Sequence, residues 1–249
     1  MIKQASIALL MIALIPYISF SANFSENFND GDMNGWITLD EPAKLLNDKG
    51  PSNWIVMASP VGKGSALNQT SNIWGDPPDV IPLGTFAIYN LAEWINFELK
   101  FDVYSLDNDC LGIIWGWKNR TNHYRFITMI DPANPEGAGA DKAPWSKIEK
   151  RLGDDEPYYN TIGRKGEASY KDNELTDFNL IVKDGKFSVY SKGKLVVEAQ
   201  DESYSGGKIG FTMIAQQGCF FDNIELTDFG AEVNLKDKLT STWSLIRSR

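Results

Sequence analysis

Asp107-Asn108-Asp109-Cys110-Leu111-Gly112-Ile113-Ile114-Trp115-Gly116-Trp117, then Lys118-Asn119-Arg120-Thr121-Asn122, then His123-Tyr124-Arg125-Phe126, is the stretch on which the fold reading turns. An acidic turn leads into an apolar, glycine-punctuated strand. A short polar reversal then returns the chain into an aromatic and basic strand. Two such runs around a tight reversal form a β-hairpin. Its length and apolar content place it inside a large β-sandwich.

Outward from this hairpin the same period of two recurs. Upstream, Phe97, Leu99, Phe101 and Val103 alternate with Glu98, Lys100, Asp102 and Tyr104, the pattern of a strand with one face on a core. Downstream, Ile181 to Tyr190 is interrupted by Asp184-Gly185, and Ser191-Lys192-Gly193-Lys194 turns the chain into Leu195-Val196-Val197. Asp-Gly favours a type I′ turn, so this segment reads as a three-stranded meander. Lys208–Met213 and Phe220–Leu226 supply two more strands, and nothing comparable argues for a long helix. The stretches Asp40 to Gly84 and Asp131 to Asp155, rich in Pro, Gly and charge, read as long loops of the kind that build binding surfaces.

The chain opens Met1-Ile2-Lys3-Gln4, runs apolar from Ala5 to Phe20 and ends that run on Ser19, Ser21 and Ala22. One positive charge, a short apolar core and small exit residues make residues 1–22 a secretory signal peptide. The apolar core is shorter than the roughly 20 residues that span a bilayer, so no membrane span remains after cleavage. Residues 23–229 read as one jelly-roll domain and 230–249 as a tail. The mature protein is thus expected to be secreted, extracellular or, in a bacterium, periplasmic. A formal net charge of −9 and a pI of about 4.7 argue against nucleic-acid partners, because phosphates would be repelled. Cys110 and Cys219 leave two readings open, one disulfide or two buried thiols. Asn23-Phe-Ser, Asn68-Gln-Thr and Asn119-Arg-Thr are glycosylation acceptors in a eukaryotic secretory pathway.

Phe28-Asn29-Asp30-Gly31 with Gly35-Trp36, Pro51 to Val56, Gly84-Thr85-Phe86, the Asp107 hairpin, His123 to Phe126, Gly206 to Gly210 and Phe221-Asp222-Asn223-Ile224 occur in a telling order. In that order they resemble a concanavalin A-like (laminin G-like) jelly roll. Within that superfamily the chain is similar to the thrombospondin C-terminal lectin-like module and its bacterial secreted relatives. The resemblance implies two antiparallel sheets packed face to face, with the first and last strands as neighbours. It also implies a structural calcium ion and a glycan or an extracellular protein as partner.

Carboxylates suit such a hard cation. Asp30, Asp32, Asn34 and Glu41 satisfy the spacing of a calcium loop, although no helix precedes them. If the terminal strands are neighbours, Glu26 or Asp30 can approach Asp222 and staple the chain ends. Asp107 and Asp109 form a further acidic turn, but Leu111 and Lys118 occupy positions where an EF-hand needs ligands. For a sugar ligand the expected surface is aromatic, with Trp115, Trp117 and Tyr124 as stacking residues and Arg125 as a polar partner, or as a partner of Asp102. At least two of Trp115, Trp117, Tyr124 and Phe126 are expected in the core. His123 is expected at the surface in a turn. The acidic pairs Asp154 with Glu156 and Asp172 with Glu174 have the alternate spacing of a glycosidase, yet lie in polar, loop-like stretches. The resulting expectation is a secreted, non-catalytic, calcium-stabilised lectin-like module. A polysaccharide-active glycosidase or lyase of the same fold, and a structural spacer without a ligand, are the alternatives.

Overall fold

The alternating run from Phe97 becomes a central strand because its four apolar side chains meet the opposite sheet while its polar ones stay outside. The computed structural model describes residues 23–41, 51–73, 84–132, 142–155 and 157–230, and these form fifteen strands and no helix. In chain order they are β1 (Phe24–Glu26), β2 (Trp36–Glu41), β3 (Trp54–Ala58), β4 (Ser65–Gln69), β5 (Gly84–Tyr89), β6 (Phe97–Ser105), β7 (Cys110–Asn119), β8 (Asn122–Met129), β9 (Trp145–Arg151), β10 (Tyr159–Lys165), β11 (Thr176–Lys183), β12 (Lys186–Ser191), β13 (Lys194–Gln200), β14 (Lys208–Ile214) and β15 (Cys219–Asp228). The segments read as signal peptide and, beyond residue 230, as tail lie outside the described residues.

Two antiparallel sheets result, a jelly-roll sandwich. One has eight strands, ordered β13-β12-β11-β6-β15-β4-β3, with β1 beside β15; the other has seven, ordered β10-β9-β8-β7-β14-β5-β2. The first and last strands are neighbours as expected, Phe24 opposite Leu226 and Glu26 opposite Ile224. The meander is also as expected. Asp184 (φ 49°) and Gly185 (φ 73°) turn β11 into β12 with both central residues in the left-handed region, which glycine enters without penalty.

Between the sheets lies a core of Leu99, Phe101, Ile113, Trp115, Phe126, Phe178, Leu180 and their neighbours. Aromatic rings bridge it: Trp36 of β2 stacks on Phe211 of β14 at 5.7 Å, and Phe211 on Phe221 of the other sheet at 4.1 Å. Each such pair contributes about 0.5–1.5 kcal/mol beyond the area it buries.

Two readings change. The stretch Asp40 to Gly84 contains β3 and β4, and Asp131 to Asp155 contains β9. Strand β9 escapes the pattern because only Ile148 of it joins the core between the sheets, while Trp145 packs in a separate cluster on a face that otherwise carries charge. The disulfide alternative also falls. Cys110 and Cys219 are free, buried thiols on strands of different sheets, and burial pushes the Cys219 thiol well up. Asn68 of the second glycosylation triplet is buried on β4 and inaccessible to a transferase.

Candidate functional site

Alternation on β7, β8 and β9 sends Ile113, Phe126 and Ile148 inward, and therefore sends Ile114, Arg125, Ile127 and Glu149 to the outer face of the seven-stranded sheet. The outer face of an antiparallel sandwich sheet commonly meets water. Here it is buried. Register aligns it into rows across the sheet. Thr161, Glu149, Arg125, Ile114, Gly210 and Ile88 make one row, and Lys147, Ile127, Gly112, Thr212 and Phe86 the next. The β5 side is apolar and the β9–β10 side is ionic and aromatic.

Arg125 donates from Nε and Nη2 to Glu149 Oε2 at 2.8 and 2.6 Å, and Thr161 donates to Glu149 Oε1 at 3.2 Å. Arg151 reaches across to β2, where its Nη1 donates to Glu41 Oε2 at 3.0 Å; Arg120 holds Glu41 Oε1 at 3.2 Å and also pairs with Asp154. The Tyr159 ring lies beneath both cations, 3.5 Å from the Arg125 guanidinium and 5.0 Å from that of Arg151. Lys147 sits 4.3 Å over Trp145. Arg125 and Arg151 are both 0% exposed, so their charges are desolvated as well as paired. The array reaches solvent at one end, through the half-exposed Arg120 and Asp154 and through Tyr159 and Thr161.

His123 completes the array. Its ring stacks on Trp117 at 4.7 Å, and its Nε2 lies 2.9 Å from the Tyr159 hydroxyl. Burial, then the neighbouring charges of Arg125 and Arg151, hold its pKa well below the usual imidazole value. The folded chain therefore keeps His123 neutral where the unfolded chain takes up a proton. That proton uptake begins near pH 6.5, so the stability contributed is complete above that pH and is lost as pH falls below it, by up to about 1.4 kcal/mol per pH unit. Urea midpoints taken from pH 7 to pH 5 should fall more steeply for the natural chain than for His123→Gln. Equal slopes would contradict a neutral buried imidazole.

No family model matches the sequence, and no curated protein does. Among solved structures, the carbohydrate-binding module CBM66 from Bacillus subtilis is similar over 79% of this chain and 98% of its own, at 15% identity and a TM-score of 0.53. The chain resembles a bacterial carbohydrate-binding module in fold. A Bacillus subtilis protein of unknown function with a galectin-like fold (10% identity, 72% and 88% covered, TM-score 0.49) is also similar. So is a putative glycosyl hydrolase from Parabacteroides distasonis (15% identity, 82% and 92% covered, TM-score 0.46).

The structure divides the expected sugar-binding residues. Trp115 and Tyr124 are core, stacked at 5.8 Å and packed on Phe187, and offer no exposed ring to a sugar. Trp117 and Arg125 are on the outer face but buried, Arg125 bound to Glu149 and not to Asp102, which lies in the other sheet. Trp115 and Trp117 part company because Gly116 (φ 60°) carries an irregularity that breaks the ladder between Trp115 and Asn119. His123 is buried on β8, not exposed in a turn. Of the acidic pairs, Glu156 lies outside the described residues, Asp154 pairs with Arg120, and Glu174 pairs with Lys192 far from this face. Lys147, Glu149, Arg151 and Thr212 had no motif to announce them.

The calcium candidates are bonded elsewhere. Glu26 accepts the backbone N–H of Asn27 and Phe28 at 2.9 and 2.7 Å, Asp30 that of Asp32 at 3.3 Å, and Asp32 that of Asn34 at 2.8 Å. Glu41, the last residue of the calcium-loop spacing, is instead the buried partner of Arg151. Asp107 accepts from Asn108 and Gln217 at 2.9 and 3.0 Å, and the Asp109 carbonyl accepts the Tyr170 hydroxyl. Burial, then the charges of Asp102 and Glu26, hold the Asp222 carboxyl above its usual range, so Glu26 is the N-terminal carboxylate that Asp222 feels. Among the described residues no set of three or more His, Cys, Asp or Glu side chains is arranged as metal ligands.

Proposed function

We propose that this protein is an exported lectin-like module that binds glycan on the outer face of its seven-stranded sheet, entering at the Arg120, Asp154, Tyr159 and Thr161 end. Fold alone does not select this, because one sandwich hosts many functions. The buried array carries it. A sheet needs one apolar face to fold, and a second buried face of well-packed hydrophobic side chains is often as stable as, or more stable than, one holding buried ion pairs. Planar guanidiniums, carboxylates and aromatic rings in one desolvated patch are instead the means of recognising polyhydroxylated rings, by hydrogen bonds to hydroxyls and stacking on ring faces. The indole N–H of Trp145 and the hydroxyl of Thr212, both buried on this face without a hydrogen-bond partner, are further groups that sugar hydroxyls would satisfy. The carbohydrate-binding function named for the Bacillus module agrees with the reading. Kinship to the thrombospondin C-terminal module rests on the sequence motifs, and export on the 1–22 segment.

Calcium belongs to this proposal only as a stabiliser of the β1–β15 edge, where a cation would relieve the repulsion around Asp222. Millimolar calcium should then raise the Tm, and chelation should lower it; no shift ends the calcium reading and leaves the glycan reading standing. A glycan array run with and without calcium tests the whole. Selective binding supports the module, whereas an empty array favours a protein partner or a spacer.

A second reading has one observation behind it. A neutral, buried His123 bonded to Tyr159 beside two guanidinium–carboxylate pairs is the kind of perturbed cluster that active sites collect, which suits a polysaccharide-active enzyme. New reducing or unsaturated ends released from the array-positive glycan would establish it.

A further inference from the structure

A cavity of about 340 Å³ opens between the β5–β6 connection, the β11–β12 turn and the β13–β14 connection. Trp94, Trp115, Phe187 and Tyr204 line it. The charged residues among the described lining are Asp184, Asp201 and Glu202, with no lysine or arginine. Asp201 is already neutralised, accepting from Lys150 Nζ at 2.7 Å and from the Tyr124 hydroxyl at 2.5 Å. Asp184 and Glu202 have no ion-pair partner among the described residues. Their positions are built, not incidental. The Asp184 backbone N–H donates to Asn96 Oδ1 at 2.9 Å and Asn96 Nδ2 donates to Asp184 Oδ1 at 3.2 Å, while Asp201 N–H donates to the Gly185 carbonyl at 2.9 Å. Glu202 lies over the same turn, its Cγ 2.5 Å from where a Gly185 Cβ would stand.

We infer that this cavity binds an organic ammonium group. Aromatic faces attract a cation through their ring quadrupoles, and two unpaired carboxylates at the mouth add charge that a neutral sugar would not need. The acidic pI of about 4.7 favours approach of a cation. The inference stands apart from the glycan reading of the sheet face, which uses none of these residues. Two sources carry this chemistry, an amino sugar of a polysaccharide and a free amino alcohol.

Calorimetric titration of the full chain with glucosamine, N-acetylglucosamine, glucose and choline separates the outcomes. Glucosamine or choline should bind while glucose and N-acetylglucosamine do not. Which of the two cations binds identifies the source, and binding of both makes the ammonium group itself the determinant. Asp184→Asn with Glu202→Gln should weaken that binding at least tenfold, equivalent to about 1.4 kcal/mol, with the Tm unchanged. Neutral sugars binding as tightly as the cations, cation binding that survives the double variant, or no binding by either cation at millimolar concentration would overturn the inference.

Discussion

Arg125→Met lowers the folding free energy by about 3–5 kcal/mol, because it leaves the Glu149 carboxylate buried without its partner. Both groups are desolvated on the face of the sheet, Arg125 completely and Glu149 at 3% exposure, and the two bonds that Arg125 gives Glu149 end on one oxygen. Methionine fills most of the arginine's volume, so lost packing is a minor part of the effect. The decisive companion is Arg125→Met with Glu149→Leu. Replacing both ions by apolar groups removes the stranded charge, and the double variant should recover most of the loss or exceed the natural stability. Urea unfolding at pH 7 measures all three. A double variant as unstable as the single one would mean that the pair stabilises the sheet outright, and the argument that the array is held for ligand would lose its footing.

Gly112→Ala is the second large effect, about 3 kcal/mol, the upper end of what overpacking a core position costs. Gly112 lies in β7 between Ile127 of β8 and Thr212 of β14. A Cβ at this position would collide with the Phe126 carbonyl oxygen and stand 2.9 Å from Ile127 Cγ2. The oxygen is backbone of the adjoining strand and cannot swing aside, so the β7–β8 pairing has to open. Gly166 is the control, since a Cβ there meets nothing within 4 Å. Gly166→Ala should stay within about 0.5 kcal/mol of the natural chain. Equal melting temperatures for the two variants would contradict the tight β7–β8 approach.

The parts of the fold that depend on neighbours in sequence are legible in it. Phe97 to Tyr104 alternate cleanly because one face meets the core and the other meets water, and Asp184-Gly185 turns the chain through local backbone preference alone. The site depends on partners far apart in the chain. Trp145-Ser146-Lys147-Ile148-Glu149-Lys150-Arg151 shows no apolar period, because Arg125 and Glu41, which make its charged face tolerable in a buried setting, come from β8 and β2. Trp115 and Trp117 look like one surface until the Gly116 irregularity turns them to opposite sides. Arg125 was visible as a residue that faces away from Tyr124 and Phe126; its partner was not, since period-two reading assigns faces and says nothing of which strand comes alongside.

The central claim is that glycan binds on the outer face of the seven-stranded sheet, and its most direct test is calorimetric titration of the array-selected glycan into face variants. Tyr159→Phe, Thr212→Val and Arg120→Ala should each raise the Kd about tenfold or more, about 1.4 kcal/mol, while Glu202→Gln at the end cavity leaves it unchanged. Unaltered affinity in all three face variants, with their melting temperatures preserved, would place the ligand elsewhere and contradict the account.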